Sequence, residues 1–335
     1  MSELATQTAR LGFLGTGWIG RNRLEAIVAD GAAEVAAVAD PAEDCRRSAL
    51  AAAPGAAEAD GLDELLAAGI DGLVIATPSA LHAEQSVAAL RHGVAVFCQK
   101  PLGRTAAETA VAVEAARDAD RLLGVDLSYR FTAAMLAVRD LVRGGGIGRV
   151  HAVELVFHNA YGPDKAWFHD PALSGGGCVV DLGIHLVDLM LWVLGFPEVE
   201  RATSRRMHQG RALVPGEAVA EDFCVAQLDL PGGTSARLAC SWYLPAGREA
   251  VIEGTFYGSQ GAASMHNVNG SFYDFRAEHW QGTSSRVLAL PPDDWGGRAA
   301  VDWARRLAAG ERFDPAVSQA EQVAGVLDRI MGRST

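Results

Sequence analysis

Asp181 and His185 stand four residues apart in Asp-Leu-Gly-Ile-His, just after the glycine run Gly175-Gly176-Gly177. On a helix beginning near Val179 that spacing puts a carboxylate and an imidazole on one face, with Asp188 seven residues on along the same stripe. Such a pair can meet one bound hydroxyl, the imidazole as general base near neutral pH and the carboxylate setting its tautomer. Asp188 reads as a helix residue rather than as the orienting acid. A metal site needs at least three ligands, and nothing at the usual spacing supplies the third.

Lys100 closes the run Phe97-Cys98-Gln99-Lys100-Pro101. It and Lys165 are the only lysines among 29 basic residues, in an Ala- and Gly-rich chain that fits GC-rich coding, a bias that turns exchangeable lysines into arginines. A lysine kept at a strand exit, with a proline able to take a cis bond behind it, reads as a compact, directed donor over the crevice. A guanidinium fills that role poorly.

Gly15-Thr16-Gly17-Trp18-Ile19-Gly20 is a GxGxxG between a predicted strand and a predicted helix, the context that makes this pattern informative. The glycines allow the tight turn, the close approach of a pyrophosphate and helix packing, and the helix N-terminus stabilises the phosphates. Asp40 ends the second strand twenty residues later, where a carboxylate accepts from ribose hydroxyls and repels a 2′-phosphate. NAD is therefore expected over NADP. Arg46 and Arg47, about a turn and a half into the next helix, are the residues that keep NADP open, although they read more simply as solvated helix surface. Thr77 and Pro78 at the next strand exit, His82 in the helix after it, and Gln99 and Lys100 complete the cofactor candidates.

These residues need elements to hold them. Residues 11–14, 35–39, 72–76, 94–98 and 122–126 read as strands, alternating with helical stretches over 19–29, 42–53, 62–68, 80–91 and 106–119. That alternation predicts parallel βαβ units and a doubly wound Rossmann sheet over residues 1–127. Residues 128–335 read as a second domain for substrate binding and oligomerisation. Its runs 151–157, 223–230, 235–242, 250–257 and 271–275 alternate in polarity and predict a large, mostly antiparallel sheet. Helices are expected over 136–143, 179–194, 299–309 and 318–331, with the C-terminal ones packing back on the first domain. Tyr129 and Arg130, just after the last Rossmann strand, and Asn159, Tyr161, Asp164, Trp167 and His169, ahead of the triple glycine, are candidate substrate contacts.

The 335 residues carry a net charge of −12, with 49% hydrophobic and 21% charged residues. This is globular composition, and no basic cluster offers a nucleic-acid or anionic-membrane surface. The apolar stretch 186–194 falls short of a membrane span. Five scattered cysteines without CxxC spacing, and a start lacking the pattern of an export signal, fit a reducing cytoplasm.

The chain resembles the glucose-fructose oxidoreductase, inositol dehydrogenase and rhizopine-catabolism (Gfo/Idh/MocA) oxidoreductases over nearly its whole length. The resemblance rests on GTGWIG from Gly15, ATPSALHAEQ from Ala76, QKPLG from Gln99, SGGGCVVDLGIHLVDLMLW from Ser174 and YGSQGAASM from Tyr257. It implies a nicotinamide-dependent dehydrogenase acting on a secondary alcohol, or reducing a ketone, of a sugar, amino sugar or cyclitol such as inositol. Lys100 matches the family's KP lysine, and Asp181 and His185 match its DxGxH acid and histidine. The family usually has Glu before the lysine, where this chain has Gln99, so the electrostatics there differ. The resemblance also implies homodimers or homotetramers. The alternatives are an NADPH-dependent nucleotide-deoxysugar ketoreductase, an NAD-assisted glycosidase and a non-catalytic NAD or sugar sensor. The composition suggests a setting in secondary metabolism, such as aminoglycoside tailoring.

Overall fold

Short apolar runs closed by glycine or proline make the first sheet. In the computed structural model, which describes residues 8–214 and 216–333, six strands pair in parallel: β1 (Ala9–Leu14), β2 (Ala33–Ala39), β3 (Ala57–Glu58), β4 (Gly72–Ile75), β5 (Ala95–Cys98) and β6 (Leu123–Val125). Their order is β3-β2-β1-β4-β5-β6, which puts the topological switch point between β1 and β4. Helices α1 (Trp18–Asp30), α2 (Glu43–Ala52), α3 (Leu62–Ala67), α4 (Ser79–Arg91) and α5 (Ala106–Ala119) make the crossovers. β4 and β5 are buried along their whole length, as expected of strands covered on both faces.

The chain divides into two compact units, each assembled from three stretches rather than by one cut at residue 127. The unit holding the parallel sheet takes the chain up to Gly103, Ala107–Ser128 and Gly296–Glu321. A late helix, α9 (Arg298–Ala308), belongs to it for a steric reason. Gly72 and Gly124 leave notches whose Cβ positions would lie 2.7 and 2.8 Å from the Trp303 ring, and that ring packs 5.7 Å from Phe97.

The other unit holds Arg104–Ala106, Tyr129–Trp295 and the chain from Gln322. Nine strands form its sheet: β7 (Val150–Asn159), β8 (Arg201–His208), β9 (Arg211–Ala212), β10 (Phe223–Leu230), β11 (Thr234–Ser241), β12 (Ala250–Gly258), β13 (Gly261–Asn267), β14 (Phe275–Gln281) and β15 (Ser284–Ala289). The order is β15-β14-β13-β12-β7-β11-β10-β8-β9, antiparallel throughout except for the parallel pair β7–β11. Val153, Leu155 and Phe157 point to one buried face of β7. Helices α6 (Ala133–Arg143), α7 (Pro171–Ser174), α8 (Ile184–Leu194) and α10 (Gln319–Met331) complete the set, and α6 and α8 pack on the sheet.

Three departures from the sequence reading have local causes. β8, β9, β13, β15 and all of β14 but Phe275 lie outside the expected strands: solvated β8, Arg-Ala-Thr-Ser-Arg-Arg-Met-His, shows no apolar alternation, and buried β13, Gly-Ala-Ala-Ser-Met-His-Asn, is built from small and polar residues. Residues 271–274 turn instead of extending, since the Ser271 hydroxyl binds the Asp274 carboxylate and accepts from the Tyr273 and Asp274 amides. The helix expected over 179–194 opens with one π turn, Val179–Gly183, before α8. The stretch Pro171–Leu194 is long and apolar enough to cross a membrane, unlike the shorter run judged from sequence, but 89% of its apolar window is buried inside the fold.

Candidate active site

The glycine loop between β1 and α1 lies beside the exit of β4, at the switch point. Gly15 has φ +86°, and a Cβ there would lie 2.6 Å from the Ala76 carbonyl oxygen, so only glycine fits the turn. A Cβ on Gly20 would strike the Gly15 carbonyl, whereas one on Gly17 would meet nothing within 4 Å. The loop is thus closed behind and open at the helix N-terminus, where Ile19 is half-buried and Trp18 is 63% exposed. The Thr16 amide donates to Asp40 Oδ2 at 2.7 Å and the Ala42 amide to Oδ1 at 2.8 Å. Each carboxylate oxygen keeps a second lone pair for another donor. The Thr16 hydroxyl is buried with no hydrogen-bond partner among the described residues.

Arg46 donates to the Asp40 carbonyl oxygen at 2.6 Å and pairs with Glu58. Arg47 pairs with Glu43 and Asp44 on the exposed surface of α2. Both guanidiniums are occupied among carboxylates.

His82, a cofactor candidate from the sequence, serves as a brace. It is 1% exposed, with Nδ1 2.7 Å from the Pro101 carbonyl oxygen and Nε2 2.7 Å from that of Thr77. Burial, with help from the Lys100 charge, lowers its pKa against those two carbonyls. Neither ring nitrogen is turned to a ligand; the ring ties the exits of β4 and β5 together. The Thr77 hydroxyl donates to Gln85, Pro78 caps α4, and the Lys100–Pro101 peptide is cis.

Gln99 has a role the sequence did not reveal. Its side-chain amide donates to Asp126 Oδ2, which also accepts from Arg23 Nε at 2.7 Å. Arg23 and Asp126 are 5% and 0% exposed at the side chain, so this is a buried ion pair completed by a neutral donor. The three residues come from the end of β5, the end of β6 and α1, too far apart in sequence to leave a local signal.

In the other unit the triple glycine carries the chain past Glu221. A Cβ on Gly177 would lie 1.9 Å from the Glu221 carbonyl oxygen. Glu221 is fully buried, and its Oε1 accepts from the Gly177 and Val179 amides at 2.9 and 3.0 Å. It caps the start of the π turn in the way an N-terminal acid caps a helix. Burial pushes its pKa up, and Oε2 has no hydrogen-bond partner among the described residues.

The π turn places Asp181, whose Oδ2 accepts from Trp242 Nε1 at 3.0 Å. Single π turns inside helices are frequent at functional sites. His185 follows in the first turn of α8, buried, with its ring 4.7 Å from Tyr129 and 6.3 Å from Phe157. Tyr129 is itself enclosed by Phe157, Phe275 and Trp295. Burial, then the Asp181 charge, pushes its phenol above the usual range.

Arg130, expected as a substrate contact, is instead a bidentate partner of buried Asp188, with Nε at 2.9 and 3.1 Å from the two oxygens. Its guanidinium also lies over the Trp192 and Phe196 rings at 5.8 and 5.3 Å. Asp188 therefore anchors the Ser128–Phe131 turn to α8. Asn159 accepts from the Tyr161 amide, Tyr161 is 55% exposed, Trp167 stacks on Phe168, and Asp164 pairs with Lys165. His169 meets the edge of Trp242. Among the described residues no group of three His, Cys, Asp or Glu side chains could hold a metal ion.

Residues 9–127 match the family model described as the oxidoreductase family, NAD-binding Rossmann fold, and residues 135–264 match the GFO/IDH/MocA C-terminal domain. Inositol 2-dehydrogenase of Rhizobium meliloti is 30% identical over 261 residues, 78% of this chain and 76% of that one. The chain belongs to the Gfo/Idh/MocA oxidoreductases. Two solved structures share this Gfo/Idh/MocA fold. Levoglucosan dehydrogenase, in complex with NADH and levoglucosan, superimposes with a TM-score of 0.81 at 19% identity, covering 97% of this chain and 96% of that one. The 3-ketoreductase KijD10 of Actinomadura kijaniata, with NADP and TDP-benzene, gives 0.81 at 21% identity over 96% of each chain. The parallel-sheet unit is thus the family's NAD-binding Rossmann domain, and the chain is an oxidoreductase.

Proposed function

We propose that the chain is an NAD-dependent dehydrogenase oxidising a secondary alcohol, or reducing the ketone, of a sugar, amino sugar or cyclitol. The observation that carries the reading is the acid–imidazole pair of the substrate unit: Asp181 fixed by the Trp242 indole, and buried His185 one helical step away against Tyr129. NAD fits the loop after β1, since the open face at Gly17 admits a pyrophosphate and the orphaned Thr16 hydroxyl awaits a partner. Asp40, already oriented by two amides, would take the ribose hydroxyls. The pairing of Arg46 and Arg47 with carboxylates supports NAD over NADP.

When bound, NAD supplies the acceptor for the hydrogen leaving the carbinol carbon. His185 takes the hydroxyl proton, and Asp181 orients the imidazole and the substrate. Lys100 donates a hydrogen bond to the same oxygen as its charge develops. In the reverse direction His185 returns the proton to the ketone oxygen. The relatives' names, inositol 2-dehydrogenase and levoglucosan dehydrogenase, support a polyol substrate class.

The test follows nicotinamide absorbance with NAD and NADP against cyclitols, free sugars, aminoglycosides and nucleotide sugars, in both directions. Stoichiometric conversion by the wild type, reduced about a hundredfold or more in His185→Asn and in Lys100→Met with NADH affinity kept, is the expected result. Turnover that survives either substitution, or cleavage of a glycoside without net cofactor conversion, overturns the proposal.

A further inference from the structure

Beside Asp181, on the far side of Trp242, lies an open cleft of about 730 Å³ within the substrate unit. That volume falls within the roughly 300–1,000 Å³ of small-molecule sites. Its walls include Trp242, Tyr243 and Phe223, with His169, His208 and Asp222 around them. No lysine or arginine is among the lining residues.

Tyr243 is the least expected of these. It is 54% exposed, yet its backbone sits at φ +59°, a region that aromatic residues rarely adopt. Its ring packs directly on the backbone of Gly162, where a Cβ would lie 1.9 Å from Cζ and from the hydroxyl oxygen, and it runs nearly parallel to His169 at 6.4 Å. A strained backbone and a glycine seat hold an aromatic ring out at the mouth of a cleft. Strain of this kind concentrates at ligand clamps.

We infer that this cleft is a second subsite, which takes a pyranose-sized, phosphate-free ring joined to the ring being oxidised, so that the natural substrate is a glycoside or pseudodisaccharide. The apolar face of such a ring suits the exposed flat face of Tyr243, while Trp242, buried behind it, closes the wall. The Asp222 carboxylate, steadied by the Gln209 amide at 2.7 Å, accepts from hydroxyl or ammonium groups. A nucleoside diphosphate would find no cation in this lining. Trp242 couples the two subsites, its indole N–H on Asp181 and its ring in the cleft wall. The inference rests on the dehydrogenase reading for what happens at Asp181, but not for binding in the cleft.

The test is calorimetric titration of the full chain with glucose, cellobiose, neamine as a two-ring amino sugar, and TDP-glucose. One of the two-ring, phosphate-free probes binds at least about tenfold more tightly than glucose, and Tyr243→Ala removes that gain while Tyr243→Phe keeps it. Asp222→Asn weakens neamine more than cellobiose. Two-ring probes that bind no better than glucose, a gain that survives Tyr243→Ala, or a Tyr243-dependent gain largest for TDP-glucose would each overturn the subsite. Because these heats need no turnover, the readings fail separately. A chain that binds two rings through Tyr243 but never reduces NAD keeps the subsite and loses the dehydrogenase. A chain that oxidises single rings and ignores Tyr243 does the reverse.

Discussion

Gln99→Glu restores the residue that Gfo/Idh/MocA proteins usually carry before the lysine, and here it is expected to be harmful. In the wild type the Gln99 amide donates to Asp126, which also accepts from Arg23, and all three side chains are buried. The substitution removes that donor and sets a second carboxylate against the first. A hydrogen bond to a charged group contributes about 1.5–3 kcal/mol. If the introduced carboxyl instead takes up a proton and donates it to Asp126, holding its pKa near 7 rather than about 4.3 costs about 4 kcal/mol at neutral pH. The deficit is therefore about 2–4 kcal/mol at pH 7–8, a fall in Tm of about 3–6 °C for a chain of this length. Its pH dependence has a definite sign. The folded pKa of the introduced carboxyl lies above the unfolded value, so the penalty is absent below about pH 4.3 and grows as pH rises from there through the folded pKa. Gln99→Met, which removes the donor but adds no titrating group, should cost about 1.5–3 kcal/mol with no such slope. Urea unfolding followed by tryptophan fluorescence, with Trp303 reporting on this unit, measures both variants between pH 5 and 8. A Gln99→Glu protein as stable as wild type at pH 8, or a deficit that does not shrink toward pH 5, would refute the account of the Arg23–Asp126–Gln99 group.

Glu221→Gln should raise Tm at pH 8, because burial pushes the Glu221 pKa up and wild-type stability declines as pH rises above about 4.5; the gain should fade toward pH 4.5. Arg130→Met leaves Asp188 buried and unpaired and should cost about 3–5 kcal/mol, most of it recovered in Arg130→Met/Asp188→Leu. A change in KM without loss of stability would return Arg130 to the substrate contacts. Burial pushes Cys98 and Cys178 up to about 12, and hydrogen bonds within the Cys178–Cys240–Cys224 cluster, then burial, raise Cys224 and Cys240, so only Cys45 should react quickly with a thiol reagent at pH 8 in the native protein. Two or more fast thiols would contradict that burial pattern.

What the sequence made legible is what is encoded locally. The first sheet could be read because each strand and crossover carries its own period, and the glycine loop because its three glycines and Asp40 fall at fixed distances along one βαβ unit. Asp181 and His185 stood out for the same reason. The π turn did not, since a wide turn has the same residue types as a narrow one. Glu221, Trp242, Asp126 and Arg23 escaped notice because their partners lie 27 or more residues away and each side chain looks ordinary among its neighbours. Arg130 was misread for a related reason: an arginine after a Rossmann strand looks available until the carboxylate 58 residues on is seen to hold it.

The interleaving of the two units has a consequence for synthesis. The Trp303 ring that fills the notches at Gly72 and Gly124 is translated only after residues 129–295 have been made. At about 5–20 residues per second, the nascent parallel sheet waits on the order of ten seconds or more with part of its apolar surface uncovered. During that interval the ribosome-bound chain is a natural client for a chaperone, and slow codons in the stretch between would lengthen its exposure rather than help it fold.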